Sequence, residues 1–114
     1  MAGHKGDPYY DIFLRYEMWL ETIGKERILD GEGFDLLVDL DRTGSLTATA
    51  RNLGMSYRKA WGMLNDVERH LGFRLTEKRR GGASGGRTLL SEKGQQLVMA
   101  YNSLRHETDI AMKS

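Results

Sequence analysis

Three consecutive segments with apolar residues at helical spacing, each followed by a glycine, constrain this fold more than any other feature. Their spacing predicts helices at about 34–43, 46–53 and 57–71. Glycine is common directly after a helix because it adopts a left-handed backbone without strain. The glycines that follow the three segments are Gly44, Gly54 and Gly72. We therefore expect three helices joined by tight turns, with Ser45 as the N-cap of the second.

A basic hairpin and a long helix follow these segments. The stretches 73–78 and 87–90 are typical of paired strands, and the loop between them carries four glycines. Apolar residues at helical spacing then predict a last helix at about 92–112. Two helices joined by a glycine turn, then a strand, a loop and a returning strand, form the order of a winged helix-turn-helix. We predict this fold, mainly α-helical within the α+β class, and call the hairpin the wing, with its basic part at 78–87.

The N-terminal part shows a different pattern. Apolar and polar side chains alternate over residues 12–21, as in a half-buried strand. Gly24 and Lys25 offer a turn, after which 26–29 can return as a second strand. We expect the segment from Asp30 to Gly33 to break this strand before the first helix. The prediction is a flexible tail at 1–11 and one domain at 12–114 that opens with a β-hairpin.

Composition excludes several classes of function. The chain has no cysteine, which removes disulfides, zinc–cysteine sites and thiol catalysis. Its three histidines are scattered, and no nucleophile is spaced to join any of them. We therefore expect no metal, no cofactor and no enzymatic activity. Because no apolar run could cross a bilayer and the N-terminus lacks the apolar core of a secretory signal, we expect a cytoplasmic protein.

Charge is distributed very unevenly, although the net charge is only +1. Residues 1–41 contain 4 Lys and Arg against 10 Asp and Glu, whereas residues 42–87 contain 10 against 3, a surplus of +7. Residues 88–114 are balanced, with 3 of each sign. A positive block that spans the helix-turn-helix and the wing can meet a polyanion, so it favours a nucleic acid as partner over an ordinary solvated surface.

The predicted helix at 57–71 takes the place of the recognition helix, which enters the major groove of double-stranded DNA. At about 100° per residue, the side opposite its apolar stripe carries Arg58, Gly62, Asn65 and Arg69. The Arg58 guanidinium can pair with a guanine edge and the Asn65 amide with an adenine edge. Glycine costs about 1 kcal/mol relative to alanine inside a helix, so Gly62 suggests a close approach of DNA to the backbone.

Further contacts are expected to position the protein on phosphates rather than to read bases. These residues lie at the edge of the recognition face, at the start of the preceding helix and on the wing: Ser56, Tyr57, Lys59, Ser45, Thr47, Arg79, Arg80 and Arg87. A soluble loop without a ligand is the alternative for the wing. We assign Trp61 and Tyr101 to the core rather than to a base-stacking platform, because both lie on or beside apolar stripes.

The wing also contains a near match to a phosphate-binding P-loop. Gly81, four residues, Gly86, Arg87 and Thr88 follow that pattern except that arginine replaces the required lysine. A P-loop needs a helix directly after it, whereas Thr88 to Ser91 reads as a strand and a helix cap. We reject this interpretation.

Several strings resemble a known family. They are Thr43-Gly44-Ser45-Leu46-Thr47, then Leu53-Gly54-Met55-Ser56-Tyr57-Arg58-Lys59-Ala60-Trp61, then Arg79-Arg80-Gly81-Gly82. Together they resemble the N-terminal DNA-binding domain of the molybdate-responsive ModE regulators and, more distantly, LysR-type regulators. The resemblance covers about residues 12–110 and implies a homodimer that controls transcription, with Ser56 to Lys59 beginning the recognition helix. ModE regulators carry C-terminal domains for molybdate or tungstate, whereas this sequence ends at Ser114, so we expect neither oxyanion to bind.

Two other classes of function compete with sequence-specific binding of double-stranded DNA. A winged helix can serve as a protein-protein interaction module without DNA contact, but such a face would more often show an exposed apolar patch. An enzyme is the third and weakest reading. The expected homodimer could join through the last helix or through the N-terminal hairpin, because both carry apolar residues that could face a partner, namely Phe13, Trp19, Val98 and Met112.

Overall fold

The computed structural model describes residues 3–80 and 86–113. Within these residues the chain forms four helices and two antiparallel hairpins. In chain order the elements are β1 (Trp19–Glu21), β2 (Arg27–Asp30), α1 (Gly31–Thr43), α2 (Leu46–Asn52), α3 (Tyr57–Leu71), β3 (Thr76–Arg80), β4 (Gly86–Leu90) and α4 (Glu92–Lys113). The predicted winged helix-turn-helix, mainly α-helical, is confirmed.

Helix α1 begins three residues earlier than the sequence pattern predicted. The Asp30 carboxylate accepts a hydrogen bond of 2.9 Å from the Gly33 backbone N–H, so Asp30 is the N-cap of the helix. The strand ends at Asp30 as expected, but Gly31 to Gly33 do not separate it from the helix, because they form the first helical turn. Gly44 ends the helix with a left-handed backbone, φ 73°, as predicted.

Local hydrogen bonds set the geometry of the helix-turn-helix. The hydroxyls of Ser45 and Ser56 cap α2 and α3, each accepting from a backbone N–H at 3.1 Å. The hydroxyls of Thr43 and Thr49 lie 3.0 Å apart and join the end of α1 to α2. The predicted bounds of the recognition helix, 57–71, coincide with α3.

The core lies where α1 meets the other helices and both hairpins. Its fully buried members include Leu36, Leu37, Leu40, Ala60 and Leu75. Tyr101 of α4 is buried as predicted; its ring stacks on Phe34 at 4.9 Å and its hydroxyl donates to the Met18 carbonyl. Burial raises the pKa of Tyr101, which keeps the hydroxyl a hydrogen-bond donor.

The wing begins later than the prediction of a strand at 73–78. The Leu75 backbone N–H donates to the Glu68 carboxylate at 2.7 Å, which holds the segment after α3 in a turn rather than in a strand. Strand β3 therefore starts at Thr76, where it pairs with Leu90 of β4. A backbone hydrogen bond of 2.9 Å from Thr88 to the Gly44 carbonyl attaches β4 to the turn between α1 and α2.

A close approach attaches α4 to the wing. The backbone of Gly94 lies against the Leu75 carbonyl, and a Cβ at this position would collide with it. The Ser91 hydroxyl accepts from the Gly94 N–H at 3.1 Å and starts the helix. Glycine at 94 therefore allows α4 to pass directly over the start of β3.

The N-terminal hairpin is much shorter than the alternating pattern predicted. Residues 12–18 form no strand, and Ile12, Phe13 and Leu14 are exposed. Strand β1 pairs with β2, which has only four residues because its last one, Asp30, caps α1. No strand lies opposite residues 12–18, so alternation alone could not produce a ladder there. The turn at Gly24 and Lys25 occurs as predicted.

The molecule is elongated, with principal dimensions of 59 × 34 × 23 Å. Its Cα radius of gyration is 17.5 Å, whereas a compact chain of this length would have about 13 Å. Helix α4 contributes to this shape: of its 22 residues, only Gly94 and Tyr101 are buried. Among the residues described, no helix is long and apolar enough to cross a membrane.

Candidate nucleic-acid interface

Helix α3 presents one face to solvent because Ala60, Leu64 and Val67 bury the other. Arg58 lies on the solvent face, and its guanidinium forms no ion pair or hydrogen bond within the described part of the chain. An unpaired guanidinium at the first turn of an exposed helix is available to a base edge or a phosphate. The structure thus places Arg58 on the exposed side of α3, as helical spacing predicted.

Gly62 follows on the same face, one turn further along. A Cβ built at this position would meet no atom within 4 Å. The packing of the chain therefore does not require glycine here, although alanine would stabilise the helix by about 1 kcal/mol. The vacant space lies on the solvent side, where a ligand could approach the helix backbone.

The assignment of Trp61 to the core was wrong. Its side chain is 52% exposed, and Tyr57, one turn earlier, is 54% exposed. Trp61 lies about 90° around the helix from the centre of the buried stripe, at its edge, where spacing does not decide burial. Both aromatic rings are therefore part of the solvent face of α3.

Asn65 and Lys59 occupy less open positions than Arg58. Asn65 is half-buried and lines a shallow depression near the end of α3, beside Trp61. The Lys59 ammonium lies 3.0 Å from the Glu32 carboxylate at the start of α1. A phosphate would have to compete with Glu32 for Lys59.

The hydroxyl residues expected to contact phosphates have mixed surroundings. Ser45 and Ser56 use their hydroxyl oxygens as helix caps, which leaves each hydroxyl hydrogen free to donate to a ligand. Thr47 is exposed on α2, close to Ser45. Tyr57 begins α3 directly after Ser56. The structure thus brings these four residues to the same end of the two helices.

The three wing arginines differ in their contacts. Arg79 pairs with Glu77 on the same face of β3, with 3.0 Å between nitrogen and oxygen. Arg87 folds back onto the left-handed backbone of Gly44 and reaches the Arg42 carbonyl at the end of α1. Arg80 has no ion pair among the residues described. Residues 81–85, which include three of the four glycines of the expected basic tip and the first glycine of the rejected P-loop pattern, lie outside the described residues. The remaining glycine of both, Gly86, is the first residue of β4.

A groove separates α3 from the wing. One wall carries Tyr57 and Trp61, and the other carries Arg74 and Lys78. Neither of these two cations has an ion-pair partner in the described segments, 3–80 and 86–113. Sequence reasoning named neither as an individual contact, because Arg74 falls in the segment predicted as a strand and Lys78 in its last position. Lys78 is nevertheless the first residue of the predicted basic part of the wing, 78–87. The positive charge of both residues within the +7 block was the available signal.

Acidic side chains largely lie away from this groove. The segment up to residue 41 holds 10 of the 16 acidic residues. It comprises the residues before β1, the N-terminal hairpin and most of α1. Glu77 is the one acidic residue among those lining the groove, and Arg79 neutralises it. In the part of the chain that the structure describes, no group of three His, Cys, Asp or Glu could hold a metal ion.

Comparison with known proteins supports a helix-turn-helix assignment. Residues 32–95 match the family of bacterial regulatory helix-turn-helix proteins of the LysR type. This match spans α1 to the first turn of α4 and includes the groove.

Similar proteins include regulators and molybdenum-pterin-binding proteins. The chain is 32% identical over 75 residues to the DNA-binding transcriptional dual regulator ModE of Escherichia coli (strain K12), covering 66% of this chain and 29% of that protein. It is 33% identical over 82 residues to the molybdenum-pterin-binding protein MopB of Rhodobacter capsulatus, covering 72% and 28%. The related MopA is 31% identical over 85 residues, covering 75% and 32%. The chain spans less than a third of the length of these relatives.

Proposed function

Since the chain belongs to the LysR family of bacterial regulatory helix-turn-helix proteins, we propose that it binds double-stranded DNA in a sequence-specific manner and regulates transcription. The observation that carries this proposal is the solvent face of α3. It combines the unpaired Arg58, the open space at Gly62 and a neighbouring groove with two unpaired cations. A major groove about 12 Å wide admits such a helix, and base edges there distinguish all four base pairs.

Each element has a distinct role in the proposed complex. Helix α3 lies in the major groove, where Arg58 and Asn65 face base edges. The wing lies over the flanking backbone, with Lys78 and Arg80 as its unpaired cations. Ser45, Thr47, Ser56 and Tyr57 contact phosphates. Arg87 holds the wing against the end of α1 instead of contacting DNA directly, since its guanidinium already reaches the Arg42 carbonyl. Lys59 and Arg79 contribute less because each has a carboxylate partner.

The proposal includes a homodimer joined through α4. The radius of gyration of 17.5 Å and the small buried fraction of α4 support a helix that packs against a second copy. Two copies would place their recognition helices in successive major grooves, about 34 to 36 Å apart. As a bacterial regulator whose proposed partner is DNA, the protein would act in the cytoplasm, and we propose no catalytic role for it. The 114 residues align with too little of the molybdenum-related proteins to carry oxyanion binding over, so we propose none.

A protein-interaction module remains the second candidate function. The exposed Tyr57 and Trp61 favour it, because aromatic residues are enriched in protein interfaces. Lys78 beside them favours DNA, since lysine is depleted in protein interfaces.

Selection of bound sequences from random DNA duplexes tests the proposal most informatively. We expect enrichment of a two-fold symmetric site whose half-sites are about 10 base pairs apart. Recovery of a pool without any enriched sequence would contradict sequence-specific binding. The matched control is the double variant Arg58→Ala, Asn65→Ala, which should recover DNA without enrichment because phosphate contacts remain.

A further inference from the structure

The groove between α3 and the wing combines aromatic rings with cations in a way that a solvated surface does not explain. Trp61 and Tyr57 are each more than half exposed. Exposing two large rings side by side is costly for a free protein unless a ligand covers them. The Trp61 indole N–H has no hydrogen-bond partner in the described part of the chain, whereas the Trp19 indole N–H donates to Glu21 at 2.8 Å.

The opposite wall indicates the chemistry of the ligand. Arg74 and Lys78 of the wing side carry unpaired positive charge into the groove. Hydroxyls of Ser45, Thr47 and Thr88 also line it. Hydroxyl, ammonium and guanidinium groups are the side chains that contact phosphate oxygens in protein–DNA complexes. An apolar ring between them suits the deoxyribose that separates one phosphate from the next.

The position of Trp61 on α3 distinguishes the DNA backbone from the base edges. At about 100° per residue, Trp61 lies about 60° from Arg58 in the direction of the apolar stripe and the wing. Gly62, with open space above it, lies on the other side of Arg58. If Arg58 and Gly62 face the floor of the major groove, Trp61 faces the wall of that groove, which is a sugar-phosphate strand.

We infer that the groove between α3 and the wing holds one DNA strand, with Trp61 packed on a deoxyribose and Arg74 and Lys78 on the adjacent phosphates. This inference rests on the proposed function, because it specifies where the DNA backbone lies. Trp61 is then a positioning residue: it fixes the depth and orientation of α3 for every duplex and does not select a base.

Single-tryptophan variants test the location directly. Trp19→Phe leaves Trp61 as the only indole, and Trp61→Phe leaves Trp19, which lies on β1 outside the groove. Acrylamide quenching of tryptophan fluorescence is measured with and without duplex, while anisotropy of a dye on the DNA reports binding independently. We expect DNA to protect Trp61 from acrylamide and to leave the quenching of Trp19 unchanged.

A second measurement tests the role. Trp61→Ala should weaken binding to a preferred site and to a random duplex by the same factor, about tenfold, which corresponds to about 1.4 kcal/mol. Trp61→Phe should retain most of the affinity, and Trp19→Ala should change neither. Because about half of the Trp61 side chain is buried, Trp61→Ala should lower the midpoint of thermal unfolding. Affinities are therefore compared at a temperature at which circular dichroism shows both proteins fully folded, which separates a lost contact from a lost fold.

The outcomes separate this inference from the proposed function. If the dye reports DNA binding and Trp61 stays equally open to acrylamide, the strand does not occupy the groove and the inference fails alone. A loss confined to the preferred site would also overturn it, because Trp61 would then read a base. If wild-type protein binds no duplex, the proposed function fails and the inference fails with it. Protection of Trp61 by a protein partner without DNA binding would favour the protein-interaction module.

Discussion

At the scale of single residues, the sequence does not distinguish the cations of the predicted interface, whereas in the structure they differ in their ion-pair and hydrogen-bond partners. Arg79 and Lys59 have carboxylate partners and Arg87 reaches a helix terminus, whereas Arg58 and Arg80 have no ion-pair partner within residues 3–80 and 86–113. The pair of Arg79 with Glu77 could be expected from sequence, since residues two apart on a strand share a face. The pair of Lys59 with Glu32 could not, because it joins α3 to the first turn of α1.

Arg58 and Arg80 should respond differently to substitution. Arg58→Ala should cost about 1 to 3 kcal/mol on a preferred DNA site and much less on a random duplex, if its guanidinium meets a guanine edge. Arg80→Ala should weaken both duplexes by similar factors, because phosphates carry no sequence information. Titrations of both variants on both duplexes measure these effects.

Arg69→Ala provides the matched control, because it removes the same charge from the same side of α3 about 16 Å further along the helix. Arg69 is already paired with Asp66, and base contacts are expected at the N-terminal part of the recognition helix. The Arg69→Ala variant should leave both affinities nearly unchanged. An equal loss on both duplexes for Arg58→Ala would assign Arg58 to a phosphate instead of a base.

Gly62 offers a steric test of how α3 lies in the major groove. Gly62→Leu should abolish specific DNA binding, because the side chain would occupy the open space where the groove floor approaches the helix. The same change should raise the free energy of unfolding by up to about 1 kcal/mol, since leucine is a better helix former than glycine. Normal binding by a well-folded Gly62→Leu variant would mean that α3 enters the groove in another orientation or not at all.

At the scale of elements, local signals predicted the helices well and the strands poorly. Caps and glycines specify helix ends from neighbouring residues, so the bounds of α3 and the cap at Ser45 could be predicted. Strands depend on partners elsewhere. Strand β3 starts later than predicted because the Leu75 N–H donates a hydrogen bond to the Glu68 carboxylate. Residues 12–18 form no strand because β2, with four residues, is too short to pair with them.

Of the side chains around α3, only the exposure of those directly opposite the apolar stripe could be predicted from sequence. Opposite the apolar stripe, Arg58 and Gly62 are placed correctly by helical geometry. Trp61 lies at the edge of the stripe, and its exposure depends on how far the wing stands from α3. Arg74 and Lys78 could not be assigned to the groove from sequence, because the register of the wing decides which of its side chains face α3.

Helix α4 is the element that we expect to form the dimer. Leu104 and Met112 continue the side of the helix that carries the buried Tyr101, but both are exposed. A second copy would cover them and remove apolar surface from water. The double variant Leu104→Glu, Met112→Glu should therefore shift the protein from dimer to monomer, as measured by sedimentation equilibrium.

Met99→Glu is the control for this substitution. Met99 is also exposed, but at about 100° per residue it lies on the opposite side of α4 from the midpoint of Leu104 and Met112. This variant should remain dimeric. A monomeric wild-type protein, or dissociation caused by Met99→Glu alone, would rule out the proposed surface.

At the scale of the whole molecule, the similarity to molybdenum-related proteins leads us to ask whether these 114 residues bind molybdate. Their names associate some of them with molybdenum, yet the chain aligns with less than a third of each. We predict that molybdate and tungstate leave the melting temperature of these 114 residues unchanged. A ligand at 100 times its dissociation constant would add about 2.7 kcal/mol of stability, a shift that thermal unfolding detects easily. Sulfate at equal ionic strength is the control, and a rise specific to molybdate would contradict the prediction.

The central claim concerns the whole charge distribution: a nearly neutral protein meets DNA through one basic side. The surplus of +7 over residues 42–87 lies on the helix-turn-helix and the wing, while 10 of the 16 acidic residues lie in residues 1–41. Three unpaired cations of each copy, Arg74, Lys78 and Arg80, are assigned to phosphates. A dimer would then make about six phosphate contacts, which predicts a slope of about −5 for the logarithm of affinity against that of salt concentration.

Fluorescence anisotropy of a labelled duplex from low to physiological salt measures this slope most directly. The account predicts tight binding at low salt that weakens with a slope of about −5, and a slope shallower by about two units for the dimer of Arg80→Ala. Absence of binding at low salt, or a slope near zero, would contradict the claim that this protein binds DNA.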